Sequence, residues 1–90
     1  MYSLVYSSQF KKDFKKIAKL PVEDILEVGK VVHQLQQGTP LAKKYVDHSL
    51  VGNWQGFRDC HIKPDLVLIY RIENQQLQLA RIGSHSLLFK

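Results

Sequence analysis

Residues 57–72 read Phe57-Arg58-Asp59-Cys60-His61-Ile62-Lys63-Pro64-Asp65-Leu66-Val67-Leu68-Ile69-Tyr70-Arg71-Ile72. Two strands joined by a tight turn account for this pattern. Phe57–Ile62 alternates with period two, which puts Phe57, Asp59 and His61 on one face and Arg58, Cys60 and Ile62 on the other. Leu66–Ile72 is a nearly continuous apolar run, as expected of a central strand covered on both faces. Lys63-Pro64-Asp65 supplies the turn, because proline presets φ and aspartate bonds its own backbone. After the polar turn at Glu73-Asn74, Gln75–Gly83 alternates again. Three consecutive strands with short connections predict an antiparallel meander.

Working upstream, Tyr2–Tyr6 alternates and is rich in strand formers. Ser7 and Ser8 are candidate N-caps for the helix that follows. On a helical wheel Phe10, Phe14, Ile17, Ala18 and Leu20 share an arc, and Lys11, Lys12, Lys15, Lys16 and Lys19 fall opposite. Asp13 is the one acid in that run. Pro21 suits the first turn of a second helix, with Glu23 and Asp24 at its positive dipole end. Val22, Ile25, Leu26, Val28, Val32 and Leu35 cover a wide arc, so deeper burial is expected there, with His33 half-buried on the apolar side. Gly38 and Pro40 end this helix. Residues 38–56 read as a loop. The expected fold is therefore a single small α+β domain over residues 1–90. Two N-terminal helices pack on a twisted antiparallel sheet, in the order β-α-α-β-β-β, with room for a short last strand.

Composition narrows the function classes. Ninety residues hide roughly 60–65% of the unfolded chain's surface, enough for one modest core. Apolar residues at 44% and charged residues at 23% are ordinary globular values and exclude disorder. No apolar run reaches the ~18–20 residues of a membrane span, and no secretory signal opens the chain. One cysteine, Cys60, forms neither an internal disulfide nor a CxxC pair, which fits a reducing cytoplasm. Thirteen Lys/Arg against eight Asp/Glu leave +5, pointing to polyanionic partners.

Three of the four histidines, His48, His61 and His85, lie in the strand-rich half with Asp59, Asp65 and Arg81. An antiparallel meander would gather them at one end of the sheet. RNA cleavage by its own 2′-hydroxyl needs a base for that proton, an acid for the departing 5′-oxygen and cations for the phosphoryl charge. Imidazole, with a pKa near ~6.5, serves as either acid or base, and arginine supplies a planar fork for phosphate. Asp59 and Asp65 would orient the rings. No metal or other cofactor is needed, and the three histidines lack the short spacings of a zinc site. The lysines of residues 11–19, with Arg58, are either a solvated face or an RNA surface. Trp54 and Phe57 are either base-stacking platforms or core anchors, and Asp47 and Ser49 read as local turn stabilisers.

The strings Asp47-His48-Ser49-Leu50, Gly52–Asp65, Leu68-Ile69-Tyr70 and Arg81-Ile82-Gly83-Ser84-His85-Ser86-Leu87-Leu88-Phe89 resemble the YafQ branch of the RelE-type toxins. The resemblance runs through essentially the whole chain. It implies a bacterial type II toxin, an endoribonuclease that cuts mRNA, typically in the A site of the 70S ribosome. It also implies a cognate antitoxin, expected to lay an acidic segment over the active-site cleft, with DNA contacted only through that antitoxin. Matching positions carry functional roles to His48, Asp59, His61, Asp65, Arg81, His85 and Phe89. His85 would be the general acid, His48 or His61 the base, Arg81 the phosphoryl clamp and Phe89 a base-stacking group. Some relatives carry an aromatic residue after the Pro-Asp turn, where this chain has Leu66, so no stacking role falls there. A non-catalytic module that binds RNA or the ribosome and blocks translation by occlusion is the competing expectation.

Overall fold

The alternation across residues 57–83 becomes a three-stranded meander in the computed structural model, which describes residues 1–89. Strands β3 (Arg58–Lys63), β4 (Leu66–Glu73) and β5 (Gln76–Gly83) pair antiparallel. On β4, Leu66, Leu68 and Tyr70 join one apolar cluster and Val67 and Ile69 the other, and all five are buried. The apolar run is thus explained by cover on both faces. Pro64 and Asp65 make the first turn. Asn74 and Gln75 make the second, with φ of 53° and 62°. Positive φ at both positions lets a two-residue turn follow the strand twist.

The sheet has two further strands, β1 (Ser3–Tyr6) and β2 (His48–Ser49), in the order β1-β5-β4-β3-β2. β2 pairs antiparallel with β3, whereas β1 runs parallel to β5, so the sheet is mixed. The antiparallel expectation holds for the meander β3-β4-β5, and β2, which falls in the stretch read as loop, extends it. It fails for β1 because the helical layer separates β1 from its neighbour, and such a crossover permits parallel pairing. The stretch read as loop holds β2 and two single 3-10 turns, Lys43–Tyr45 and Gly52–Trp54. In place of a short final strand, residues His85–Leu88 form one helical turn, α3, because the Ser84 hydroxyl caps it by accepting from the Leu87 N–H at 3.2 Å.

Helices α1 (Ser8–Ile17) and α2 (Val22–Gln36) cover one face of the sheet. Ser7 is the N-cap of α1: its hydroxyl oxygen accepts from the Phe10 N–H at 2.8 Å and its proton goes to the Ala80 carbonyl at 2.7 Å. One side chain therefore caps the helix and ties it to β5. Pro21 is the N-cap of α2, one position before its first turn. At the other end Gly38, with φ of 79°, donates to the Leu35 carbonyl while Thr39 donates to that of Gln34. This pair of bonds closes the last turn in a conformation that favours glycine.

Phe10 and Ile17 of α1, with Val28, Val31 and Leu35 of α2, pack on Cys60, Ile62, Leu68, Tyr70, Leu77, Leu79 and Ile82. The buried stripe of α2 is narrower than the wheel suggests. Val22 and Leu26 are 70% and 68% exposed, and His33 lies on the exposed side rather than half-buried. Ala18 and Leu20 at the end of α1 are also exposed. A two-layer packing covers only the side of each helix that meets the sheet. Among the described residues no helix is long and apolar enough to cross a membrane.

Gln75 holds a left-handed conformation that costs a residue with a Cβ about 1 kcal/mol relative to glycine. Gln75→Gly is therefore expected to raise stability by about 0.5–1 kcal/mol, read as a higher urea midpoint with an unchanged m-value.

Candidate active site

Pleating sends Cys60 and Ile62 of β3 to the helices, and Asp59 and His61 to the opposite face. β2 pairs His48 directly with Asp59, which brings a second imidazole to that face. α3 delivers the third. An added Cβ on Gly83 would lie 3.1 Å from Leu87 Cδ2 and 3.6 Å from Leu88 Cδ2. Lacking one, Gly83 lets α3 fold back onto the end of β5. The rings then stand in a row: His48 to His61 at 6.5 Å, His61 to His85 at 6.2 Å and His85 to Phe89 at 4.8 Å between centroids. His48 and His85 are exposed and His61 is half-buried.

Two carboxylates organise the row differently. Asp65 accepts from the backbone N–H of His85 at 3.2 Å, so it fixes the start of α3 rather than an imidazole ring. Asp59 is 2% exposed and its Oδ1 lies 3.1 Å from His48 Nδ1. That oxygen nevertheless has no hydrogen bond of its own. The proton is committed elsewhere, since Nδ1 stands 2.7 Å from the Val46 carbonyl. A carbonyl only accepts, so Nδ1 carries the proton and Nε2 of the neutral ring keeps its lone pair. Val46 supplies this carbonyl from a left-handed backbone, φ 51°, which is strained for a β-branched residue. Burial pushes the Asp59 carboxyl above the usual range, against the pull of His48, His61 and His85.

Arg81 is placed otherwise than the sequence suggests. Its Nε donates to Asp13 Oδ2 and one terminal nitrogen to Asp13 Oδ1, both at 2.9 Å. Asp13 is 1% exposed and also accepts from Gln9 Nε2 at 3.1 Å and from the Ile82 N–H at 3.2 Å. Burial works against its charge, but the bonds from Arg81, Gln9 and Ile82, with the Arg81 charge, outweigh it and lower its pKa. The guanidinium expected to clamp phosphate thus already forks onto a carboxylate of α1. Three positions after Phe10 and four before Ile17, Asp13 lies on the buried stripe of α1. That spacing was the available signal for its role. The Val46 carbonyl had none, because its direction depends on a backbone dihedral.

The remaining candidates divide. Lys11, Lys12, Lys15, Lys16 and Lys19 are exposed on or just after α1, in the layer across the sheet from the histidines. Arg58 pairs in register with Tyr70, whose side chain lies in the helix-side core, so Arg58 also faces away from the row. It donates to Asp47 at 3.2 Å and Ser49 at 2.9 Å, and Tyr70 donates to Asp47 at 2.8 Å. Asp47 and Ser49 therefore make contacts across strands instead of stabilising their own turn. Trp54 and Phe57 meet edge to face at 5.2 Å and pack with Leu50 and Phe89 against Val67, Ile69 and Leu88. They are anchors of a second small core. Burial raises the Cys60 thiol to about 12, which makes it inert at neutral pH. Among the described residues no three ligating side chains stand in a geometry that would hold a metal ion.

The family model for YafQ, the bacterial toxin of type II toxin–antitoxin systems, matches residues 2–90. The chain belongs to the YafQ toxin family. It is 39% identical over 85 residues to the mRNA interferase toxin YafQ of Escherichia coli, an alignment spanning 93% of this chain and 91% of that protein. A metal-bound toxin from Helicobacter pylori shares 45% identity with a TM-score of 0.90, over 99% of this chain and all of the other. YafQ in the E. coli DinJ–YafQ complex shares 35% identity with a TM-score of 0.88, over the full length of both chains. The α+β architecture expected of this family is the one observed.

Asp13→Asn is expected to cost about 2–3 kcal/mol near pH 7, because it strands part of the Arg81 charge and weakens the bond to Ile82. Asp13 has a folded pKa below its ordinary 3.8. Its contribution is therefore complete above that value and lost as pH falls through the folded pKa. Urea titrations should find parent and variant well separated at pH 7 and pH 5, and converging below pH 4.

Proposed function

We propose that this toxin is a metal-independent endoribonuclease that cuts mRNA, using the histidine row as its acid–base machinery. The observation that carries the reading is three imidazoles in sequence beside a buried carboxylate, with one ring's tautomer held by a carbonyl. His48 Nε2, left free by the bond from Nδ1 to Val46, takes the proton of the attacking 2′-hydroxyl. The imidazolium so formed has Asp59 at 3.1 Å to receive its charge. The 2′-oxygen bonds to phosphorus, the bond to the 5′-oxygen breaks, and His85 protonates that oxygen. The products are a 2′,3′-cyclic phosphate and a 5′-hydroxyl. His61, between the two, donates to the phosphoryl oxygens as their charge grows.

Arg81, the expected clamp, acts in this reading through its pair with Asp13. It holds the end of β5, two residues before Gly83, and so supports the approach of α3 and His85. Phe89, 4.8 Å from His85, offers a ring face to the nucleotide on the leaving side. Phe89 and Leu88 also belong to the packing under α3, so its stacking surface is held rigidly.

A cognate antitoxin neutralises the protein in this reading, as the complex of E. coli YafQ with DinJ suggests. The net charge of +5 suits an acidic segment of that partner over the histidine row. DNA is contacted only through the antitoxin, the cell compartment is the cytoplasm, and the 70S ribosome presents the mRNA. The exposed lysines of α1 support a second reading, occlusion of the ribosome without cleavage.

The two readings separate on one set of measurements. On a defined mRNA, with and without ribosomes, the parent should leave 2′,3′-cyclic phosphate ends in the presence of EDTA. An mRNA with a 2′-deoxy nucleotide at the cut should survive. His85→Ala should lose at least 100-fold in kcat, about 2.7 kcal/mol of transition-state stabilisation, while keeping its fold. Growth arrest that persists in His85→Ala but disappears when the α1 lysines are neutralised would establish occlusion instead.

A further inference from the structure

β2 is only two residues long, and it covers β3 only at Arg58 and Asp59. Beyond that point the outer edge of β3 is bare, and a groove of about 420 Å³ opens between it and the 3-10 turn Lys43–Tyr45. Its volume lies within the range of sites that hold small ligands. Lys44 and Lys63 line it together with Glu27, Tyr45, Val46 and His61. Two of these belong also to the catalytic row: His61 is its middle ring, and Val46 provides the carbonyl that orients His48.

The groove combines cations with a fixed acceptor. Lys44 and Lys63 are both exposed. Lys63 has only a loose contact with Asp24 at 3.7 Å, and Lys44 rests 5.1 Å from the centre of the Tyr45 ring. Neither ammonium is locked in a buried pair. Tyr45, 3% exposed, donates its hydroxyl proton to Glu27 Oε2 at 2.6 Å. That bond fixes the Glu27 carboxylate and lowers its pKa. An ionised acceptor held still beside two exposed cations suits a nucleotide, whose phosphate takes the ammonium groups and whose base edge offers amino or imino protons.

The order of the rings gives the groove a polarity. His48 stands at one end of the row, and His85 with Phe89 at the other. The groove shares the middle ring, His61, with the row, and its lining includes Val46, whose carbonyl meets His48 Nδ1. We infer that it seats the nucleotide immediately 5′ of the scissile bond, the one whose 2′-hydroxyl attacks, with Lys44 and Lys63 on the backbone and Glu27 reading the base edge. The inference rests on the nuclease reading above and extends it to substrate choice: the residue 5′ of the cut is read by protein side chains, and the 3′ residue is met at Phe89.

The test uses a defined mRNA, free or on ribosomes, whichever the parent cuts. The Lys44→Ala/Lys63→Ala double variant removes two exposed side chains. Its KM should rise about tenfold with kcat within twofold, and its log–log salt dependence should flatten by about 0.7, the change for one neutralised phosphate on a single strand. Glu27→Gln should change the preference among the four bases 5′ of the cut by fivefold or more, and leave the 3′ preference within twofold. A double variant with the parent's KM and salt slope overturns the inference while cleavage by the parent leaves the nuclease reading standing. A Glu27→Gln effect confined to the 3′ side overturns the polarity. A parent that cuts no RNA removes the nuclease reading and this inference together.

Discussion

A strand turns successive side chains to opposite faces, and this constraint on β3 and β4 organises the rest of the molecule. Cys60 and Ile62 enter the core beneath the helices, which leaves Asp59 and His61 no choice but the other face. β4 is buried on both sides, so the sheet must carry apolar cover on the histidine face as well. That cover is small: Leu50, Trp54, Phe57, Ala80, Leu88 and Phe89 around Val67 and Ile69. Beyond its edge His48 and His85 remain open to solvent and His61 is half-buried. The face that cannot be fully covered is the one that carries the histidine row.

Keeping a charged group at 2% exposure is expensive, and Asp59 is tolerated without a hydrogen bond to one of its oxygens. With the Nδ1 proton of His48 directed at the Val46 carbonyl, Nε2 is the ring nitrogen left with a free lone pair. The arrangement resembles a spring set by three parts of the chain: a strained residue before β2, a buried residue in β3 and the short pairing between them.

Arg81 and Asp13 illustrate a second form of organisation. A buried carboxylate on α1 satisfies the Ile82 N–H on β5 beyond the end of β1 and forks the neighbouring guanidinium at the same time. The helical layer is thereby fastened to the strand that leads into Gly83 and α3. A residue whose type suggested direct contact with phosphate is engaged by a carboxylate of the helical layer. The lysines of α1, on the outer side of that layer, remain free for a separate electrostatic role.

Much of this was legible before any coordinates. Period-two and helical-wheel patterns located β3, β4, β5, α1 and α2, and alternation along β3 correctly joined Asp59 with His61 and separated both from Arg58. Those are local properties, set by backbone geometry within a few residues. The parallel direction of β1, the pairing of the two-residue β2, the helical form of α3 and the capture of Arg81 by Asp13 are not local. Each depends on which surfaces meet once the chain has closed on itself, over separations such as the 68 residues between Asp13 and Arg81. Residue type and spacing determined which groups were available for catalysis. Only tertiary structure decided which of them face one another, because partners compete for each charge and that competition is settled by packing.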